Sequence, residues 1–403
     1  MKPSLYSGKR DPKIKLLKKA FIKVSSKKAK KIYSRNNIKN INMMVFSIKS
    51  IFTCAFFDYE LSKVIDELNR DKKLRDFFEI DGKVPTSAQV YEYLSRYSVK
   101  QFENIVNSIL RTYYKPRKYA KNTFIVDATP VACDINHIAK YITKEKLEKL
   151  DLKWGYSTTK GHFIGFKVTI VLDKKSLTPI SILIHPGAPH DSQLFEEILE
   201  ELQRRRLIKN GTKILFDRGY YKYENYIIGI TRFKIIPIIF PHSTFDIVKL
   251  MDKMSLPLNV FKETKKRETI INMYKSLASA LFKNLKNWKS LKPIRGIIED
   301  FFKVSKKAFG LGKFHNYTTK SISKKIYLVL LLTTIIIQTG FKSKTKMQQL
   351  AEGNVELLSP RKDYSEKKKK TSEKQEISNV PEKTEQTTLA IIEKERQTTL
   401  EKF

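Results

Sequence analysis

Residues 214–224 read ILFDRGYYKYE. The opening Ile-Leu-Phe, with Lys213 before it, has the pattern of a short buried strand. Asp217 closes that strand, and Gly219 two residues later lets the chain turn sharply, so the carboxylate faces the rim of a sheet. A second run of the same form, FIVDATP at 124–130, carries Asp127. A third stretch, RGIIEDFFKVSKK at 295–307, has helical periodicity and carries Glu299, with Arg295 four positions before it and Lys306 seven after. Two Asp at strand ends and a Glu on a later helix can bring three carboxylates together around a pair of divalent ions. Such a site cuts and rejoins phosphodiesters. Taken singly, each acid has a plainer explanation. An Asp at a strand end caps the following turn, a Glu on an amphipathic helix is solvated, and Arg295 with Glu299 is an ordinary i,i+4 ion pair.

The cations give the combination its sense. Arg295 lies one turn before Glu299 and Lys306 two turns after it, all on one helix face. A positive charge on each side of a metal-binding carboxylate suits a phosphate lying across the metals. The rest of the chain agrees. The 403 residues carry a net charge of +38, which points to nucleic acid more than to anionic lipid or the ribosome. Residues 1–40 hold about 14 Lys or Arg against the single acid Asp11.

Composition also excludes classes of function. Cys54 and Cys133 are the only cysteines, too few for a disulfide scaffold or a cysteine zinc cluster, and they suit a reducing cytosol. The His residues lack metal-ligand spacing, which makes a zinc enzyme a poor fit. No Walker A sequence is present, and transesterification needs no ATP because it conserves bond energy. No secretory signal is visible at the N-terminus. The most apolar stretch, residues 327–340, is shorter than the roughly 20 residues of a membrane span and reads as a buried core helix.

Along the chain, residues 1–40 form a basic arm, part helical and part disordered. Residues 44–118 have helical periodicity, with Thr86 or Ser87 as an N-cap. They suit a helix-turn-helix element or an ordinary helical bundle equally. Strands are expected over 161–173 and 177–187, joined by a turn at 174–176. A helix follows over 191–208, with Asp191 or Ser192 as its cap rather than His190 as a site residue. Another strand lies near 233–241, where Pro237 favours a sheet edge. Residues 242–290, rich in Lys, resemble an insertion before helices at 292–310 and 321–340. From about 353 the composition is charged and almost free of apolar residues, which is a disordered tail, with a short frayed helix at 388–403.

The chain resembles the DDE transposases of insertion sequences, the class with a ribonuclease H-like catalytic core. The class carries the signature Y-(2)-R-(3)-E-(6)-K around its last acid. Arg295, Glu299 and Lys306 fit it, while Lys292 stands at the Tyr position. DRGY matches the pattern around the second Asp, FIVDATPV matches the strand of the first, and WGYSTTKGHFIGFKV with the later APHDS is similar to the sheet region.

The resemblance implies an α/β fold, a ribonuclease H-like mixed sheet flanked by helices, preceded by a helical DNA-binding domain. It divides the chain into a basic arm and DNA-binding part at 1–118, a catalytic part at 119–345 with the insertion at 242–290, and the tail at 353–403. It implies Asp127, Asp217 and Glu299 as catalytic and metal-binding residues, Mg²⁺ or Mn²⁺ as two bound ions, and Arg295 and Lys306 as phosphate-binding residues. The partners would be terminal inverted repeats and target DNA, held by a homodimer in a cytoplasmic, nucleoid-associated protein. The departure at Lys292 bears on a hairpin-forming step rather than on metal catalysis. Two other readings fit the same residues: a ribonuclease H-like nuclease without strand transfer, and a non-catalytic DNA-binding protein from a decayed element.

Overall fold

In the computed structural model, residues 11–114, 122–133, 152–157, 161–255, 267–312 and 318–353 are described. Residues 1–10 of the basic arm lie outside them, as does the expected tail apart from Gly353. The chain opens with α1 (Pro12–Ser25), α2 (Lys27–Arg35), α3 (Ile41–Phe57), α4 (Leu61–Arg70), α5 (Lys72–Phe78), α6 (Ser87–Ser95) and α7 (Val99–Leu110). The described part of the basic arm is thus α1 and α2, and both are packed. In α1 the buried positions Leu17, Ala20, Phe21 and Val24 recur at three- and four-residue spacing, which sends the lysines outward. The Tyr33 hydroxyl of α2 donates to the Val24 carbonyl at 2.9 Å, tying the two helices together. Thr86 caps α6 in a reciprocal capping box with Gln89, and Ser98 does the same for α7 with Gln101.

A six-stranded mixed sheet follows. Its strands are β1 (Thr123–Ala132), β2 (Lys153–Ser157), β3 (Gly161–Asp173), β4 (Thr178–Pro186), β5 (Lys213–Phe216) and β6 (Ile236–Ile239). The order across it is β2-β3-β1-β5-β6, with β4 also on β3. β1 is antiparallel to β3 and parallel to β5, and β5 is parallel to β6. Pro237 sits on the edge strand β6, where a missing N–H costs least. The β3–β4 turn is fixed by Asp173, whose Oδ2 accepts from the Ser176 N–H and hydroxyl, both at 2.7 Å.

Helices cover both faces. α8 (Asp191–Arg204), α9 (Tyr223–Thr231), α10 (Ile247–Ser255) and α11 (Arg267–Lys286) lie with Phe124, Val126 and the β5 and β6 side chains in one apolar core. α12 (Lys292–Lys307), α13 (Thr319–Gln338) and α14 (Lys344–Ala351) belong to the other, with Ile125 and Ile170 of the sheet. Neighbouring residues of β1 therefore serve opposite cores, as strand alternation requires. Of the stretch 242–290, read above as an insertion, residues 242–255 and 267–290 are described. Tyr274, Leu277, Leu281 and Leu285 of α11 form one buried stripe, and the helix packs on β6. Lys275, Lys283 and Lys286 on its outer side, with the lysines of the preceding segment, hide that stripe in the sequence.

α13 lies at the centre of the second core, against α1, α3 and α7 as well as β4 and α12. This is why it is apolar all round. Among the described residues it is the helix long and apolar enough to cross a membrane on its own, but 83% of its most apolar window is buried inside the protein. One apolar cluster thus takes residues from α1 to α7 and from α12 to α14. A fragment ending at residue 118 would expose the surface that α13 covers. It should show little cooperative melting by circular dichroism, whereas the full chain should melt as a unit. A sharp transition in the fragment would mean that its own helices suffice.

Candidate active site

Strand register brings the first two acids together. Val126 of β1 pairs with Phe216 of β5 in a parallel ladder, so Asp127 and Asp217 are the next residues along two neighbouring strands. Such strands run about 4.8 Å apart. Asp127 shares the Ile125 face of β1, the side covered by α12. β1 does not end at Asp127, however. It continues to Ala132, paired with the long strand β3. What ends there is the parallel pairing with β5, and this opens the notch in which the acids sit. Asp217 precedes a single 3₁₀ turn, Arg218–Tyr220, but its side chain makes no capping bond. The turn-capping alternative is therefore not what this carboxylate does.

Glu299 comes from α12, which packs against β1. Arg295, one turn earlier, joins all three acids. Its Nη2 is 3.3 Å from Asp127 Oδ2 and 3.3 Å from Asp217 Oδ2, and its Nη1 pairs with Glu299 Oε1. The side chains of Asp127, Asp217 and Glu299 are 15%, 33% and 44% exposed, so the notch grades from buried to open. Lys306 lies on the same helix and is half-buried, two turns beyond Glu299.

The innermost acid registers its burial. The Asp127 carboxyl is pushed up to about 7, foremost by burial. The Arg295 guanidinium and the Ala128 N–H, which donates to Asp127 Oδ1 at 2.8 Å, work against the shift. The neighbouring Asp217 and Asp191 add to it.

Asp191 has a different place from the one expected. His190 is the N-cap of α8, its Nδ1 accepting from the Ser192 N–H at 3.3 Å. Asp191 is free to turn inward, where its Oδ1 is 2.8 Å from Lys167 Nζ of β3. The buried Tyr220 hydroxyl lies beside Asp191 and Thr169, and burial together with the Asp191 and Asp127 charges raises it far above the usual phenol range. A Cβ on Gly219 would stand 2.8 Å from Asp191 Oδ2. Gly219 is thus needed for this close approach, and its φ is not positive. The signal available in APHDS was that His can cap a helix as Asp and Ser do, which releases the Asp beside it.

The donor chemistry of the notch suits a divalent metal: three carboxylates from three elements directed at a single positive charge. Among the described residues, no three acidic, His or Cys side chains stand at ligating spacing. The Arg295 guanidinium occupies the point where the carboxylates converge. The residues fit the ion in chemistry, and Arg295 would have to give way for it.

No curated protein matches the chain. The family model described as Transposase DDE domain matches residues 118–335, more than half of the 403 residues. That span contains Asp127, Asp217 and Glu299, and the mixed sheet covered by helices on both faces fits a ribonuclease H-like core. With a matching domain of that extent around converging acids, the chain belongs to the DDE transposases of insertion sequences.

Proposed function

We propose that this transposase cuts DNA at the ends of its element and joins the freed 3′-hydroxyl to target DNA, with Asp127, Asp217 and Glu299 as the catalytic acids. The observation that carries this reading is the convergence of the three carboxylates on the Arg295 guanidinium. A pair of Mg²⁺ or Mn²⁺ ions held by the three acids would supply Lewis-acid activation of an oxygen nucleophile and neutralise charge on the phosphate. The chain's own part is positioning. The β1–β5 ladder fixes Asp127 beside Asp217, and α12 carries Glu299 over them. Arg295, once released from the acids, is placed to bind a phosphate oxygen, and Lys306 offers a second cation on that face.

The N-terminal helices, with their outward lysines, serve as the DNA-binding part that recognises the terminal inverted repeats. Holding two ends at once implies a homodimer, acting in the cytoplasm on the nucleoid. The test is a joining assay. The full chain, Mg²⁺, duplexes carrying the element's terminal repeat and a target plasmid are incubated together. Plasmid joined covalently to the duplex is the expected product. Cut duplex with no joined product would favour a nuclease without strand transfer.

A further inference from the structure

A cleft of about 600 Å³ opens against α12, on the face next to the one that carries Arg295 and Glu299. Five lysines line it from three separate parts of the chain: Lys174 and Lys175 from the β3–β4 turn, Lys292 from the start of α12, and Lys342 and Lys344 from the start of α14. All five are exposed. Among the described residues, Asp300 is the one acid in the lining. It is 4% exposed and stands 3.9 Å from Lys303, and one acid leaves the five lysines in excess. Bringing five ammonium groups to one concavity costs repulsion, which a polyanion would relieve.

The lysines stand on fixed elements. The β3–β4 turn is locked by Asp173, and Gln338 at the end of α13 donates to the Ser176 carbonyl and to Thr178 Oγ1. α12 and α14 pack against each other, so their first turns meet at the cleft. Lys292 Nζ lies over the Trp288 ring at 4.8 Å. The remaining lining is apolar, with Leu177, Ile297 and Met347, which suits the sugars of a nucleic-acid backbone better than a free phosphate ion. Arg295 and Glu299 directly precede Gly296 and Asp300 of the cleft, so DNA reaching the acids lies along the helix that lines the cleft.

We propose that the lysine cleft is a second phosphodiester site, holding the sugar–phosphate backbone of the DNA that continues past the acids. This rests on the transposase reading above. It assigns Lys174, Lys175, Lys342 and Lys344 to phosphate contacts and predicts a definite share of the salt dependence of binding. Each phosphate neutralised contributes a slope of about −0.9 to the dependence of log affinity on log salt.

The experiment compares the full chain with two fourfold variants at Lys174, Lys175, Lys342 and Lys344, one with all four changed to Gln and one with all four changed to Arg. Binding to a short fluorescent DNA duplex is followed by anisotropy between about 50 and 200 mM salt, and folding is checked by melting. The Gln variant should bind at least tenfold more weakly at low salt, with a slope shallower by about 2–4. The Arg variant should keep most of both. Because Gly296 has open space around its Cβ position, Gly296→Glu gives a separate variant that places an acid in the cleft without a clash. It should weaken binding as well.

A Gln variant that is folded and keeps its affinity within twofold and its slope would overturn the proposal. So would an Arg variant that loses as much as the Gln variant. Cleavage is scored separately with Asp217→Asn. Cleavage by that variant would defeat the assignment of the acids and leave the slope result standing. An unchanged slope would defeat the cleft and leave the acids standing.

Discussion

Asp127→Asn should make the protein more stable at pH 8 in the presence of EDTA while removing strand cleavage. The folded protein holds the Asp127 proton to about pH 7, whereas an ordinary Asp loses it near 3.8. As pH rises through that window the unfolded chain ionises first, so stability falls between about 4 and 7 and the loss levels off above. A shift of this size corresponds to up to about 4 kcal/mol. Asn carries no charge to bury, so the variant should melt several degrees higher at pH 8, with the difference vanishing towards pH 4. Thermal melts at several pH values check this. A variant less stable than the native chain at pH 8 would mean that the ionised Asp127 is held comfortably by Arg295. Gain of stability with loss of activity is what a site built for charge it does not itself neutralise should show.

Arg295→Ala has the opposite sign. It leaves Asp127 and Asp217, both partly buried, without the guanidinium 3.3 Å away. Leaving such groups unpaired costs about 1–3 kcal/mol. The half-exposed Glu299 adds little, because water screens it. The variant should therefore melt lower at pH 8. The deficit should shrink near pH 5, where Asp127 is protonated in either protein. Added Mg²⁺ should stabilise the variant more than the native chain, since no guanidinium has to be displaced. Cleavage should nevertheless fall on the order of a hundredfold, as expected when a charge-stabilising donor is lost from a transition state. Equal stabilisation of both proteins by Mg²⁺ would show that Arg295 and the ion do not share a place.

Much of this arrangement is legible in the sequence because its elements carry strong local signals. Residues 161–173 are rich in β-branched and aromatic residues and end at the Asp173 turn, and β3 occupies that same span. The helix around Glu299 shows its face by periodicity, so the Arg295 pairing with Glu299 follows from spacing alone. The ladder that sets Asp127 beside Asp217 does not. Ninety residues separate them, and register between distant strands depends on which faces are buried. The extent of β1 beyond Asp127 was hidden for the same reason, since its length is decided by β3.

Arg295 between all three acids was equally out of reach, because spacing places it only against Glu299. Asp191 was missed because the capping role was given to Asp191 or Ser192, whereas the geometry gives it to His190. The packing of α1 and α2 was obscured by charge. Their lysines dominate the composition, while a few positions such as Leu17, Phe21 and Tyr33 decide the structure.

The acids themselves are tested most directly by Asp217→Asn. The Asp217 side chain makes no capping bond and belongs to no apolar core, so its replacement should leave the fold intact. Single-turnover nicking of the element's end DNA with Mg²⁺ or Mn²⁺ is measured beside gel-shift affinity on the same duplex. Nicking should fall at least a hundredfold, the scale on which removing a charge-stabilising group acts. Affinity should stay within a fewfold of native, because binding rests on phosphate contacts made elsewhere. Native-level nicking by Asp217→Asn would contradict the assignment of Asp127, Asp217 and Glu299 as the site of cleavage.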